Sequence, residues 1–134
     1  MTPSLVYLDS SAIVKLVVRE PESVALFDWL GAWPERISSA VARVEVLRAL
    51  ARSRAAESAR RRAREILDRV ALMPIDRSVL EAAGQIGPTS LRSLDAIHLA
   101  TALSVGSDLA GVVTYDERMA QAAVRARIDV WAPA

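Results

Sequence analysis

An open α/β sheet with helices on both faces is the fold class that this sequence predicts, and three observations predict it. Two short runs, "LVYL" (Leu5–Leu8) and "GVVTY" (Gly111–Tyr115), are apolar at nearly every position, the mark of strands in a parallel sheet covered by helices on both sides. Between and around them the apolar period changes to that of helices. Short extended pieces then fall between these helices, so that strand and helix alternate along the chain.

The elements follow in order. "LVYL" is the first strand and "SSAIVKLVV" from Ser10 the first helix. A second helix is expected over "ESVALFDWLGAW" from Glu22, an extended piece over "RISS" from Arg36, and a third helix over "SAVARVEVLRALARS" from Ser39. "AAESARRRAREILDRVA" from Ala55 reads as a helix, "ALMPI" from Ala71 as extended and "RSVLEAAGQI" from Arg77 as a helix. "SLDAIHLATALSV" from Ser93 is a helix apolar nearly all round, followed by the "GVVTY" strand, the helix "ERMAQAAVRA" from Glu117 and a last extended piece, "IDVWA" from Ile128. Glycine and proline punctuate the pattern at Pro21, Gly31, Pro34, Pro74, Gly87-Pro88 and Gly106. There is no long linker, low-complexity tract or internal repeat, so one domain over residues 1–134 is expected.

Composition narrows the chemistry. At 134 residues and 52% hydrophobic the chain is long enough to bury one core. A charged fraction of 25% with a net charge of +1 argues against disorder and against a charged tail. No apolar run is long enough to span a membrane and "MTPSLVYLD" does not read as a secretory signal, so no membrane association and a cytoplasmic location are expected. With no cysteine and one histidine, disulfides, thiolate sites and His-rich metal sites are excluded. The glycine-rich nucleotide cradles and the GxSxG elbow are absent too. Catalysis or metal binding must therefore rest on carboxylates.

Four acids fall at strand ends or on helix faces that a parallel sheet brings together, where ligands bind in such sheets. Asp9 directly follows the first strand. It is either the N-cap of the first helix, a role Ser10 and Ser11 can also fill, or a site carboxylate. Glu45 shares a helix stripe with Val41, Arg48 and Arg52, while Val44, Leu47 and Ala51 form the apolar side. That stripe is either a surface with an i,i+3 pair to Arg48 or the wall of a groove, with Glu45 on a cation and the arginines on phosphates. Asp95 shares with His98 and Thr101 the one polar stripe of a helix too apolar to be exposed. Ser93 can cap that helix, placing Asp95 in its first turn, where the helix dipole favours a carboxylate. Asp116 follows the second strong strand and serves as an N-cap by itself, with Thr114 placed to orient it or a water. Several carboxylates sharing one pocket need raised pKa values or a neutralising cation, and Mg2+ or Mn2+ is the natural counter-charge for oxygen ligands. A carboxylate-held metal beside arginines points to phosphodiester chemistry.

In order and spacing, "YLDSSAIVKL", "RVEVLRAL", "SLDAIHLATAL" and "VVTYDERM" resemble the four acidic motifs of PIN-domain ribonucleases, most closely the bacterial VapC toxins of toxin-antitoxin pairs. The likeness runs from Leu5 to Trp131, and its first and third motifs are the specific ones. It implies a three-layer α/β/α PIN-like fold with a parallel sheet of about five strands, and an Mg2+- or Mn2+-dependent endoribonuclease. It also implies a VapB-type antitoxin as partner and a homodimer. The quartet would be Asp9, Glu45, Asp95 and Asp116, with Asp9 and Asp95 as principal metal ligands and Glu45 and Asp116 completing the site directly or through water. Ser10, Thr114, Arg48, Arg52 and His98 would support the ligands or meet substrate. On this reading Asp9 is a ligand and the serines after it do the capping. The fourth motif is the variable one, with Asp108 and Glu117 as nearby substitutes for Asp116.

Two other classes compete with this reading. One is a PIN-fold module that has lost activity and serves in complex assembly. The other is a receiver-like phosphoacceptor domain, disfavoured because the one lysine, Lys15, lies in the first helix rather than at the sheet edge. The run "ESARRRAREILDR" reads as a solvated helix face or an RNA track, and Trp29, Trp33 and Phe27 as core or partner contacts.

Overall fold

The computed structural model describes residues 2–134. Five strands, β1 (Leu5–Leu8), β2 (Glu35–Ser39), β3 (Ala71–Met73), β4 (Leu109–Val113) and β5 (Val130–Trp131), pair in the order β3-β2-β1-β4-β5. Every pairing is parallel. The chain winds outward from β1 to β3, then returns to the other side of β1 for β4 and β5. Strand order thus reverses at β1 and β4, and the ligand crevice of an open sheet lies beyond the carboxyl ends of those two strands.

The crossovers place the helices of the two halves on opposite faces. Helices α1 (Ser10–Val17), α2 (Ser23–Leu30), α3 (Val41–Arg52) and α4 (Glu57–Arg69) supply residues to the core on one face, together with Val6, Leu8 and Val113. On the other face α6 (Ser93–Val105) and α7 (Glu117–Arg125) pack with Tyr7, Ile37 and Val112. Helix α5 (Arg77–Gln85) packs chiefly on α6. The period-two alternation of β1, with Val6 and Leu8 on one face and Tyr7 on the other, aims the Tyr7 hydroxyl towards α6.

Three local expectations are corrected. Helix α2 stops at Leu30, short of Trp33, and Gly31, Ala32 and Trp33 turn off it through successive i to i−3 hydrogen bonds. Pro34 disfavours helical backbone at the residue before it, and Trp33 folds back onto Trp29, with ring centroids 5.7 Å apart. The second strong strand runs two residues earlier than read, Leu109–Val113, leaving Thr114 to Asp116 at its carboxyl end. The buried side of α3 is Ala42, Val46 and Leu50, whereas Val44 is 57% exposed. A helix this rich in alanine and valine carries two apolar stripes, and packing decides between them.

Candidate active site

Backbone geometry brings Asp9 and Asp116 to the crevice. Both are N-caps with extended backbone, Asp9 accepting from the Ala12 N–H and Asp116 from the N–H groups of Arg118 and Met119. This corrects the expectation that Ser10 and Ser11 cap α1. Ser11 Oγ instead donates to Asp9 Oδ1 at 2.6 Å, and Ser10 Oγ donates to Glu45 Oε1 at 2.8 Å. Both serines are thus turned to the acids, because Asp9, one residue earlier in extended backbone, already satisfies the helix end. Asp9 is almost fully buried. Its Oδ2 accepts a hydrogen bond from Thr114 Oγ1, which in turn accepts from the Asp116 N–H at 3.1 Å. Burial pushes the Asp9 carboxyl up, against the opposing pull of Ser11, Thr114, Ala12 N–H and His98.

Asp95 lies in the first turn of α6, as read, but Ser93 is not the cap. Arg92 occupies the N-cap position without a side-chain hydrogen bond to the helix. Its guanidinium reaches forward instead, with Nε 3.4 Å from Asp95 Oδ2 and a terminal nitrogen 3.1 Å from Asp116 Oδ2. One cationic fork therefore joins two of the acids. Burial raises the Asp95 carboxyl and repulsion from Asp116 adds to it, with Arg92 and His98 offsetting part of the rise.

Glu45 is tied to α6 by His98. His98 Nε2 lies 2.6 Å from Glu45 Oε1, and His98 Nδ1 lies 2.6 Å from the hydroxyl of the buried Tyr7. Burial pushes the Glu45 carboxyl up, but His98 chiefly, with Ser10 and Arg92, holds it below the ordinary glutamate range. The stripe of α3 faces a cavity. Val41, Glu45, Arg48 and Arg52 line a cavity of about 610 Å³ together with Arg92 and Asp95.

Glu45 and Asp95 line this cavity, His98 bonds to Glu45, Arg92 links Asp95 to Asp116 and Thr114 links Asp116 to Asp9. Asp108 lies in the turn before β4, at its opposite end. Arg92, Ser11 and Tyr7 were missed. The i,i+3 spacing of Arg92 to Asp95 hinted at a local pair, but nothing in the sequence pointed to its reach to Asp116. For Tyr7, only the alternation of β1 faces hinted at its direction.

Among the described residues, no three acidic or histidine side chains form a preformed metal-binding cluster. The donor set nevertheless fits a hard divalent cation in chemistry. The Arg92 guanidinium bridges Asp95 and Asp116 and acts on Glu45, Asp95 and Asp116 repel each other, and the available donors are oxygens. Asp9 Oδ1 already accepts two hydrogen bonds whereas Oδ2 accepts one, so Oδ2 is the oxygen with acceptor capacity to spare.

A parallel sheet that gathers acids at its switch point defines a PIN-like nuclease site, and the comparisons with known proteins agree. The PIN domain family matches residues 6–125. Ribonuclease VapC46 of Mycobacterium tuberculosis is 52% identical over 128 residues, 96% of this chain and 97% of that protein. Among solved structures, the sarcin-ricin loop cleaving toxin VapC20 of M. tuberculosis superposes with a TM-score of 0.71 at 18% identity, covering 87% of this chain and 94% of that one. A toxin-antitoxin complex from Klebsiella pneumoniae gives 0.65 at 22% identity, with 83% and 86% covered. The chain belongs to the PIN-domain family and, within it, to the VapC-type ribonuclease toxins. PIN ribonucleases are generally dependent on divalent metal. No helix among the described residues is long and apolar enough to cross a membrane.

Proposed function

We propose that residues 1–134 form one PIN-like domain acting as the toxin of a toxin-antitoxin pair, an endoribonuclease that hydrolyses RNA phosphodiester bonds with Mg2+ or Mn2+. The observation that carries this reading is the crevice itself. Glu45 and Asp95 line it with Arg48, Arg52 and Arg92, Arg92 links Asp95 to Asp116, and Thr114 links Asp116 to Asp9.

Asp9 and Asp95 are the proposed metal ligands, with Glu45 and Asp116 completing the set directly or through water. The bound metal would polarise the scissile phosphate and lower the pKa of a bound water. The chain's own residues do the rest. Thr114 and Ser11 hold Asp9 in a single rotamer. His98 and Ser10 keep Glu45 ionised at the groove wall. Arg92 exchanges its carboxylate partners for substrate phosphate, and Arg48 and Arg52 bind neighbouring phosphates as point contacts on the strand.

The Klebsiella pneumoniae toxin-antitoxin complex, one chain of which shares this fold, supports a VapB-type antitoxin as partner. A homodimer and a cytoplasmic location belong to the same reading. An inactive assembly module is the alternative, and retention of the whole acidic set argues against it.

Purified protein incubated with total cellular RNA tests the proposal. Discrete fragments with Mg2+ or Mn2+, absent with EDTA and absent for Asp95→Asn, are expected. RNA binding without cleavage at any metal concentration, together with no growth arrest on expression in cells, would establish the inactive module instead.

A further inference from the structure

Glu45 differs from the other three acids in how it is held. Asp9 and Asp116 are fixed by helix caps and Asp95 sits in a first turn, so backbone places all three. Glu45 is mid-helix on α3, at the end of a long side chain with its own rotamer freedom. What fixes it comes from across the sheet. His98 and Tyr7 are both essentially fully buried, their rings meeting edge to face at 5.8 Å and 79°.

The hydrogen bonds in this chain run one way. A carboxylate only accepts, so at 2.6 Å His98 Nε2 must carry the proton that reaches Glu45 Oε1. In a neutral imidazole Nδ1 is then an acceptor, and the Tyr7 hydroxyl, 2.6 Å away, donates to it. Ser10 Oγ adds a second donor to the same Oε1. An ordinary phenol is protonated at neutral pH, so the Tyr7 hydroxyl is the donor. Both donors converge on Oε1, leaving Oε2 without a hydrogen-bond partner among the described residues.

We propose that Tyr7 and His98 are positioning residues, a buried strut from β1 through α6 that sets the imidazole tautomer and aims Glu45 Oε2 at the cation. This rests on the reading of Glu45 as a site carboxylate. The strut lowers the concentration of metal needed, with less effect on turnover once the site is saturated. Outer partners of metal ligands are typically worth roughly 10- to 100-fold in metal affinity.

His98 is the only histidine in the chain, so its two ring nitrogens can be read directly by 15N NMR of metal-free protein. The expected spectrum has a protonated Nε2 and a lone-pair Nδ1. In Tyr7→Phe, whose shape is kept, the two tautomers should mix. The half-saturating Mn2+ concentration for both binding and cleavage should rise roughly tenfold, with kcat at saturating metal changed by less than about twofold. His98→Gln, whose amide N–H can still reach Glu45, should recover most of the metal affinity that His98→Leu loses. An Nδ1–H tautomer in the wild-type protein overturns the proposal. So does a Tyr7→Phe variant with unchanged Mn2+ dependence while Glu45→Gln is impaired. If Glu45→Gln itself keeps wild-type metal dependence, the assignment of Glu45 to the site falls, and the strut with it, even if the wild-type tautomer is as expected.

Discussion

Thr114 serves two acids at once. Its hydroxyl donates to Asp9 Oδ2 and accepts from the Asp116 N–H, so one small buried side chain sets the spacing between the ends of β1 and β4. Thr114→Val keeps the shape and leaves a buried carboxylate short of a donor, which costs about 1–3 kcal/mol. Thermal unfolding should show that loss together with reduced cleavage, and Thr114→Ser should restore most of both. Asp95→Asn should abolish cleavage yet stabilise the metal-free fold. The folded Asp95 carboxyl is raised, by burial and then by Asp116, so above its ordinary range the folded state binds more protons than the unfolded one. Stability contributed by its protonated form is lost as pH rises through the folded value. The Tm advantage of Asp95→Asn over wild type should therefore be near zero well below pH 4 and grow as pH rises through the raised value. An advantage independent of pH would show that Asp95 carries no such frustration. The sequence made Asp95 legible, because a carboxylate on so apolar a helix needs a cation. It did not make Arg92 legible as that cation's stand-in, because a side chain reaching out of an N-cap position to two acids is set by rotamers.

At the level of elements, two helices end in the same way. After α3, the Ala55 N–H bonds to Leu50 C=O and the Arg54 N–H to Ala51 C=O, with Arg54 at φ 55°. After α7, Ile128 and Arg127 repeat the pattern on Ala123 and Val124, with Arg127 at φ 64°. These are Schellman ends that ordinarily carry glycine. Left-handed backbone costs a side chain roughly 1–2 kcal/mol, while glycine's added freedom in the unfolded chain offsets about half. Arg54→Gly and Arg127→Gly should each raise stability by up to about 1 kcal/mol in urea unfolding. Gly111 in β4 is the opposite case. A Cβ there would lie 2.7 Å from the Asp129 carbonyl oxygen and press into the Trp131 ring, which packs against Trp29 and Trp33 at 5.3 and 5.8 Å. Gly111→Ala should cost about 3 kcal/mol and shift the tryptophan fluorescence as the cluster opens. Strand and helix identities were readable because their periods differ. The end of α2 and the buried side of α3 were not, since Trp33 and Val44 are apolar and only contact decides which apolar residue is covered.

For the whole molecule, the sheet's reversal between β1 and β4 makes a site whose charge the fold itself does not balance. Mn2+ should raise Tm with a gain that grows with pH, because the ligands must be deprotonated. At 100 times its dissociation constant the metal adds about 2.7 kcal/mol, and Asp95→Asn should remove the effect. Substrate affinity should fall with salt only modestly. The net charge is +1, and three groove arginines, Arg48, Arg52 and Arg92, would give a slope against log salt no steeper than roughly −2. A much steeper slope would mean that the arginines of α4 also track the strand.

By itself the sequence determined the class of fold and the kind of chemistry, and it singled out four acids as candidates, because strand and helix periods, the absence of cysteine and the placing of carboxylates near apolar runs are local properties. Tertiary structure alone decided how each acid is held. Asp9 became the cap of α1, Ser10 and Ser11 turned to carboxylates, Arg92 bridged Asp95 to Asp116, and Tyr7 reached Glu45 through His98. Most of these partners are more than twenty residues apart in the chain, and what joins them is the order and register of a parallel sheet, which no local pattern encodes.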